Sequence, residues 1–444
     1  MGQKQEKYDV VVLGSGIGGL CTAALLANKG YKILVTEKLP IIGGRCATLK
    51  YKGFKIPTGV LGVPMAGTFK SIFEEVGAEF NVTPMTVPPK HRIDNEIIDM
   101  SKSNQPDAIL SRFCGDEKEI EALKKGINRA QTWNFPSNEI SLKDYLNQYT
   151  RDEKLIEYYS NLSDRILSTR AHEISAREYF QSFAGSIKDF QSGVGFAPEG
   201  SMALMKALKK VIEEKGGKVL TQCRAKKILV KEGIAEGVVI EDKKGETTVR
   251  TSAVVSNAGP KKTVALAGKE YFDKGYLREL KNMVPSLQIW VSTISDRPLF
   301  DVPLLYTYET RRLVSFVSIS HVCPKLAPAG KYIHYSISSP VSQTAPRNLR
   351  NEVNMHIQDL KDSVPDFNKY GQVLHVGCYW GEWPTLANAP IVGFNGIPQK
   401  TPIENLYNVG DGVAKKGGWA GGSPGCALSA RIVVEDIENR FEPG

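Results

Sequence analysis

The sequence of 444 residues contains cysteines but lacks the paired cysteines that bind metals. Its seven cysteines are scattered, and no two form a C-x-x-C motif, which excludes zinc ribbons and ferredoxin-type iron–sulfur sites. The six histidines show no metal-pair spacing either. We therefore expect no bound metal, and the odd number of dispersed cysteines predicts free thiols in a reducing compartment.

Long apolar runs are also missing. No segment approaches the ~20 apolar residues that span a bilayer, and the N-terminal residues MGQKQEKYDV lack the apolar core of a signal peptide. These features predict a cytoplasmic protein and leave peripheral contact with a membrane surface open. Hydrophobic residues still make up 41% of the chain and charged residues 24%, so a large packed core can form.

The sequence has no long basic run, although its formal net charge is +9. The surplus lysines come in short groups, such as residues 209–210 and 415–416, which is typical of the surface of a globular protein. We expect no nucleic-acid partner, whereas an anionic dinucleotide or a membrane surface is compatible with the charge. The G-x-S-x-G motif of hydrolases is absent, and no residue stands out as a general base, so the catalytic residues stay unknown.

The N-terminal region, by contrast, carries a strand, a glycine-rich loop and a helix in succession. Residues 8–13 (YDVVVL) have the pattern of a buried strand, and the loop G-S-G-I-G-G follows. Gly14 permits the tight turn after the strand, Gly16 lets the backbone approach a pyrophosphate, and Gly19 lets the helix pack closely on the strand. The helix N-terminus then offers free N–H groups to an anion.

A second strand, residues 31–37, ends at Glu37, 18 residues after Gly19. A carboxylate at this place accepts hydrogen bonds from ribose hydroxyls. The order of strand, loop, helix, strand and acid favours a dinucleotide site over a structural glycine turn, but it does not choose between FAD and NAD(P). Only one such fingerprint is visible, so a second, tightly held NAD(P)H site is not predicted.

The residues that follow Glu37 narrow this choice. Lys38 comes next, and the chain then reaches Gly43-Gly44-Arg45. The paired glycines offer backbone close to a ligand, and the donors of Arg45 can reach a phosphate or the edge of a flavin. The alternative is a surface turn with a solvated arginine.

Together these motifs resemble those of the FAD-dependent amine oxidase and phytoene desaturase superfamily, in which the acidic residue and the GGR motif bind FAD. Residues 196–201 (FAPEGS) and 254–260 (VVSNAGP) are similar to the middle segment of that family. There a strand residue, here near Ala225, contacts the adenine through its backbone. The order of the motifs is most similar to the phytoene desaturase branch, which includes carotenoid isomerases and retinol saturases.

The C-terminal residues 405–411 (NLYNVGD) and 423–431 (SPGCALSAR) resemble the last FAD motif of the family. There Asp411 would accept from a ribitol hydroxyl, and the N-terminus of the last helix would face the pyrimidine edge of the flavin. The resemblance thus implies a set of FAD-binding residues, which are Gly14, Gly16, Gly18, Gly19, Glu37, Lys38, Gly44, Arg45, Ala225, Gly410, Asp411, Trp419, Pro424, Gly425 and Cys426.

The aromatic residues Tyr379, Trp380 and Trp383 could line a cavity beside the flavin, although a packed strand and turn is the more ordinary interpretation. The predicted fold class is α/β, with a discontinuous Rossmann-type FAD-binding domain and an interleaved α+β substrate domain. The boundaries that we expect are 1–60, 195–270 and 385–444 for the FAD-binding domain, and 61–194 and 271–384 for the substrate domain.

The resemblance implies an FAD-dependent oxidoreductase that transfers hydride to or from flavin N5 on an apolar substrate, for which the family suggests an isoprenoid. One alternative is an FAD-containing electron-transfer subunit between NAD(H) or a ferredoxin and a partner redox enzyme. Another is a flavin amine oxidase. The expected partner is accordingly a small apolar substrate or a redox protein, and the oligomeric state stays open.

Overall fold

The chain folds around two large β-sheets that differ in topology. The computed structural model describes residues 7–100, 108–132, 135–184, 189, 192–379, 389–413 and 422–444. Within these ranges each large sheet has seven strands, and two small sheets lie beside them. None of the helices in these ranges is both long enough and apolar enough to cross a membrane.

The described chain begins with a strand, a helix and a strand, and its last two elements are a strand and a helix. The strands are β1 (Lys7–Leu13), β2 (Ile33–Thr36), β3 (Thr48–Tyr51), β4 (Phe54–Pro57), β5 (Val63–Pro64), β6 (Thr83–Pro84), β7 (Lys90–Ile93), β8 (Glu96–Ile98), β9 (Val194–Phe196), β10 (Lys218–Leu220), β11 (Arg224–Lys231), β12 (Ile234–Asp242), β13 (Gly245–Ser256), β14 (Gln288–Ser295), β15 (Leu304–Thr307), β16 (Leu313–Val317), β17 (Tyr332–Ser338), β18 (Gln372–Tyr379) and β19 (Leu406–Asn408). The helices are α1 (Ile17–Asn28), α2 (Thr68–Val76), α3 (Leu110–Phe113), α4 (Glu117–Thr132), α5 (Leu142–Leu146), α6 (Glu153–Leu167), α7 (Ala176–Ala184), α8 (Met202–Glu214), α9 (Pro260–Ala267), α10 (Lys274–Asn282), α11 (Leu349–Ser363), α12 (Phe367–Tyr370) and α13 (Gly422–Glu438).

The first sheet is a parallel sheet extended by an antiparallel meander. Its order is β10-β2-β1-β13-β12-β11, and β19 also pairs with β13. Strands β10, β2, β1, β13 and β19 are parallel, so their carboxyl ends meet at one edge of the sheet. The inner half of β13 is apolar and buried. Its outer half pairs with β12 and is polar and largely exposed, so its sequence lacks the apolar pattern of a buried strand.

Helix α1 is almost completely buried because it lies between the first sheet and other helices. Its sequence, IGGLCTAALLAN, is rich in small residues, which allow close approach on every side. Helices α2, α8 and α13 contribute to the same apolar core. Residues of α2 such as Phe69 and Phe73 therefore pack with the first sheet, although they follow residue 60, where the sequence predicts the first boundary.

The second sheet has the order β18-β14-β17-β16-β15-β7-β8. It is antiparallel except for the pair β15–β7. One face packs against α11 through an apolar cluster that includes Ile289, Val291 and Leu360. The opposite face is covered in part by β4 and β9 and in part by the helices α3 to α7, whose own apolar cluster reaches Tyr308.

Two histidines are buried in this second sheet and its covering helix. His356 forms hydrogen bonds with Ser336 (2.7 Å) and Ser338 (2.6 Å), and His334 forms them with Ser295 (2.8 Å) and Ser318 (2.9 Å). Burial lowers the pKa of each imidazole to about 3. Both histidines therefore stay neutral in the folded protein at pH values at which the same histidines are protonated in the unfolded chain.

This difference predicts a loss of stability in acid. A histidine in the unfolded chain gains a proton below pH ~6.5, whereas the folded protein resists protonation until far lower pH. Stability should therefore fall as the pH drops, by about 2 kcal/mol per histidine at pH 5. We expect His356→Gln to flatten the loss of stability between pH 7 and pH 5 in urea unfolding. The exposed His172→Gln is the matched control, and an unchanged slope in H356Q would contradict the assignment.

Candidate functional site

A cavity of about 650 Å³ opens where the parallel strands of the first sheet end. The residues that follow β1, β2, β13 and β19 converge at this edge, and ligands of open α/β sheets bind at such edges. The cavity extends from the adjoining loops to the second sheet. Its polar and charged lining includes Ser15, Glu37, Lys38, Arg45, Arg224, Asn257, Lys261, Lys262, Asp411 and Ser423, and its apolar lining includes Leu61, Ile166, Leu167, Met283, Pro285 and Trp290.

The glycine-rich loop brings the start of α1 to the cavity. Gly14 has φ +96°, which favours glycine, and a Cβ on Gly19 would lie 2.2 Å from the backbone oxygen of Gly14. A Cβ on Gly18 would lie 2.7 Å from the backbone nitrogen of Gly410. Helix α1 has no side-chain cap at Gly16 and no acidic residue in its first turn. Its first N–H groups are therefore available to an anion in the cavity.

Glu37 lies at the end of β2 and holds the loop in place. Its Oε2 atom accepts hydrogen bonds from the backbone nitrogen of Ser15 (3.0 Å) and from Ser15 Oγ (2.7 Å). Its Oε1 atom accepts one from the backbone nitrogen of Leu39 (2.9 Å). Each oxygen of an ionised carboxylate accepts more than one hydrogen bond, so Glu37 can both fix the loop and bind hydroxyls.

Asn257 links the glycine loop to the segment after β19. In the amide orientation that satisfies both neighbours, its side-chain oxygen accepts from Gly16 N (3.1 Å) and its nitrogen donates to Val409 O (3.2 Å). Three segments that are distant in the sequence are thus joined through one side chain.

Arg45 and Asp411 form an ion pair at the cavity wall. Arg45 follows the short 3₁₀ helix start at Gly44, and Asp411 follows β19, so the pair joins residues 366 positions apart. Burial alone would lower the pKa of Arg45, but the Asp411 carboxylate beside it more than offsets this, so the pKa is raised. Arg45 therefore keeps its positive charge inside the protein.

The thiols of Cys46 and Cys426 and the phenol of Tyr379 near this pair are neutral. Burial raises the pKa of Cys46 to about 12 and that of Cys426 well above its usual value, so neither thiol is a thiolate nucleophile. Burial also raises the pKa of Tyr379, although Arg45 opposes it. Tyr379 packs edge-on against Trp290, with ring centres 5.9 Å apart. Trp380 and Trp383 lie outside the described residues.

Most of the predicted cofactor residues meet at this one cavity. Those that line it are Gly14, Gly16, Glu37, Lys38, Gly44, Arg45, Ala225, Gly410, Asp411 and Cys426. Gly18 and Gly19 lie behind the wall and permit the backbone contacts described above. Pro424 and Gly425 are buried in the first turn of α13, where Gly422, Ser423 and Cys426 reach the cavity. Trp419 lies outside the described residues.

Sequence reasoning did not find the apolar side of the cavity. Residues 166–168 at the end of α6, together with Met283, Pro285 and Trp290, come from segments without a recognisable motif. Strand β14 is buried along most of its length although half of its residues are polar, so its sequence (QIWVSTIS) gives only a weak signal for Trp290. No signal in the sequence places the end of α6 at this site.

Comparisons with known proteins agree with this geometry. Residues 12–75 match the model of the NAD(P)-binding Rossmann-like domain. A zeta-carotene-forming phytoene desaturase of Myxococcus xanthus is 25% identical over 287 residues, covering 56% of this chain and 53% of that protein. An all-trans-retinol 13,14-reductase of Danio rerio is 25% identical over 296 residues, covering 57% of this chain and 48% of that protein. The chain thus spans about half the length of these two relatives.

Solved structures match over nearly the whole chain. An oxidoreductase from Methanosarcina mazei is 29% identical, covers 96% of this chain and 100% of its own, and has a TM-score of 0.81. A putrescine oxidase variant shares the fold at 13% identity, with a TM-score of 0.75. The match covers 98% of this chain and 99% of that one. The comparisons confirm the predicted fold class, the resemblance to the phytoene desaturase and amine oxidase superfamily, and the prediction of an oxidoreductase.

The packing of the glycine loop gives a direct test of its geometry. Gly19→Ala should lower the free energy of unfolding by about 2 kcal/mol or more, because the new methyl group meets the backbone of Gly14. Urea unfolding measures this loss. Gly115→Ala is the matched control, since a Cβ there meets no atom within 4 Å. Equal stability of G19A and the wild type would show that the helix does not pack so closely on the loop.

Proposed function

We propose that this protein is an FAD-dependent oxidoreductase of the phytoene desaturase type, which transfers hydride between flavin N5 and an apolar substrate. One observation carries the proposal. A single cavity joins an anion-binding helix start and a ribose-binding carboxylate to an apolar wall on the second sheet. Its volume of about 650 Å³ lies within the usual range for small-molecule and cofactor sites.

The residues present fit FAD along the length of the cavity. The free N–H groups at the start of α1 suit the pyrophosphate, and Glu37 suits the adenosine ribose. The backbone near Ala225 borders the end at which an adenine would lie. Asp411 suits a ribitol hydroxyl, and the start of α13, which has no acidic residue in its first turn, suits the electron-rich pyrimidine edge.

FAD would supply the redox chemistry, by accepting or donating a hydride at N5. The chain's own contribution is to bind and orient the cofactor and to exclude water. Ile166, Leu167, Met283 and Trp290 form an apolar surface on the side of the second sheet. Such a surface favours an apolar C–C unit over a charged amine.

The cavity also favours an enzyme over the two alternatives. An electron-transfer subunit needs only a shallow opening near the flavin edge, whereas this cavity continues to the second sheet and is walled by large apolar residues. Flavin amine oxidation is less well supported because the apolar side offers no acidic residue to a substrate cation among the described lining residues.

The cofactor proposal is tested by the visible spectrum of the purified protein. We expect flavin absorption near ~450 nm and release of FAD on denaturation. Gly16→Val should abolish FAD retention, because its Cβ would lie 2.4 Å from the side-chain amide of Asn257 and would fill the approach to the pyrophosphate. Gly115→Val is the matched control. A colourless wild-type protein that does not take up FAD would refute the proposal.

Apolar molecules partition from water into membranes, and one surface element of the protein suits contact with a membrane. The β3–β4 hairpin exposes Leu49 (43%) and Tyr51 (45%), with Lys50 and Lys52 beside them. Apolar side chains enter the interface of a bilayer, while lysines are attracted to anionic headgroups. We propose that this hairpin makes the peripheral membrane contact.

Sedimentation with lipid vesicles tests the hairpin. We expect binding to vesicles of phosphatidylglycerol and phosphatidylcholine, weaker binding to phosphatidylcholine alone, and at least a severalfold loss in the double variant Leu49→Ser and Tyr51→Ser. Tyr271→Ser is the control, because this tyrosine is similarly exposed (39%) at a distant site. Equal sedimentation of the double variant and Y271S would assign membrane contact to another surface.

A further inference from the structure

A row of side chains crosses the second sheet from the cavity to the helical layer. Trp290 lines the cavity, and the register places Ile337 opposite Trp290, Ser315 opposite Ile337 and Tyr306 opposite Ser315. His91 is the next partner, beside Tyr306. Directly paired residues lie on one face of a sheet, so this row faces the same side as the cavity. Three strand spacings separate Trp290 from Tyr306, which is about 14 Å.

The last turn of α6 lies over this row. Residues 166–168 line the cavity. The residue before them, Arg165, places its guanidinium carbon 3.8 Å from the centre of the Tyr306 ring and 5.2 Å from that of Tyr308. One helical turn therefore forms a wall of the cavity and also reaches the far end of the row.

Trp290 and Ile337 of the row, together with Ile166 of α6, form an apolar strip at the cavity end, and the polar, buried Ser315 lies between this strip and Tyr306. Trp290, Ile337 and Ile166 belong to none of the apolar clusters formed by the described residues. Ile166 is 37% exposed although it faces the protein cavity. Side chains of this kind offer apolar contact to a ligand rather than to the protein core.

Arg165 at the far end carries a charge that no described residue balances as a counter-ion. Its Nε and Nη2 atoms are enclosed and have no hydrogen-bond acceptor, and no described acidic residue forms an ion pair with it. Its neighbour Asp164 lies instead against Arg170, with Oδ2 and Nε 3.4 Å apart. An enclosed cation of this kind strongly favours an anion beside it.

The groups around Arg165 do not supply that anion. Burial, together with Arg165 itself, lowers the pKa of His91 to about 4, so this imidazole is neutral near pH 7. Burial raises the pKa of Tyr306 and raises that of Tyr158 to about 12, so both phenols keep their protons. The positive charge of Arg165 is therefore left for a ligand.

We propose that the substrate is an apolar chain that ends in a carboxylate or a phosphate, with its reacting unit beside Trp290 and its anionic end at Arg165. The position of the reacting unit rests on the proposed flavin chemistry. The anion site at Arg165 rests on the sheet register, the apolar strip and the unpaired guanidinium. A planar guanidinium stacked on a tyrosine presents its edge to carboxylate and phosphate oxygens alike.

Calorimetric titration of the holoprotein with paired probes tests this inference. The probes are farnesyl phosphate with farnesol, and dodecanoate with dodecanol. We expect each anion to bind at least about tenfold more tightly than its alcohol, as a charge-assisted contact to an enclosed arginine requires. Tighter binding of farnesyl phosphate assigns a phosphate end, and tighter binding of dodecanoate assigns a carboxylate end.

Three variants locate the effect. Arg165→Gln should remove the preference for the anions and leave the affinity for the alcohols unchanged, whereas Arg165→Lys should retain part of it. Arg297→Gln is the matched control, because Arg297 also stacks on a tyrosine, 4.1 Å from the ring centre of Tyr370, but lies in an exposed loop. Equal affinity of the wild type for anion and alcohol would overturn the proposal, and so would an equal loss of both in R165Q.

Flavin content and thermal stability separate this inference from the proposed function. If the protein holds no flavin, the cofactor proposal fails, but calorimetry still decides whether anions are preferred. If R165Q does not fold, the wild-type preference and the R165K variant decide the outcome, since both leave a cation in place.

Discussion

Backbone contact between the glycine loop and the segment after β19 is the constraint on which this site depends. Gly18 approaches the backbone of Gly410 so closely that a side chain would lie 2.7 Å from it, and neither backbone can rotate aside as a side chain can. The hydroxyl of Ser429 in α13 accepts a hydrogen bond from Gly410 N (2.9 Å), which holds Gly410 in this position. Both ends of the chain are thereby fixed to one sheet edge, and Asp411 reaches Arg45.

The residues of this edge could be predicted from the sequence because each follows a local rule. A loop that must turn sharply after a strand and then start a helix requires glycine at positions such as Gly14 and Gly16. A carboxylate at the end of the next strand, here Glu37, lies beside that loop in any parallel βαβ unit. These residues all lie within fewer than about forty residues of chain, so their spacing can be recognised in the sequence.

The apolar side of the cavity could not be predicted, because it depends on long-range register. Trp290 reaches the cavity through the pairing of β14 with β17 and β18, and Arg165 reaches Tyr306 through the position of α6 on the sheet. A shift of one residue in any of these pairings would turn the side chain to the other face. Short motifs carry no information about such pairings. The same holds for His356, whose burial follows from the packing of α11 on β17.

Arg45 and Arg165 would act differently on a charged ligand. Arg45 is paired with Asp411, so at a distance the pair acts as a dipole with a field that falls off quickly. Arg165 has no such partner among the described residues, so its charge acts undiminished. Trp290 and Ile337 lie on the row that leads towards Arg165, and beside them a charge would lose its hydration without compensation. In the proposed binding mode the anionic end lies at Arg165, and the apolar part of the substrate points towards the cofactor end of the cavity.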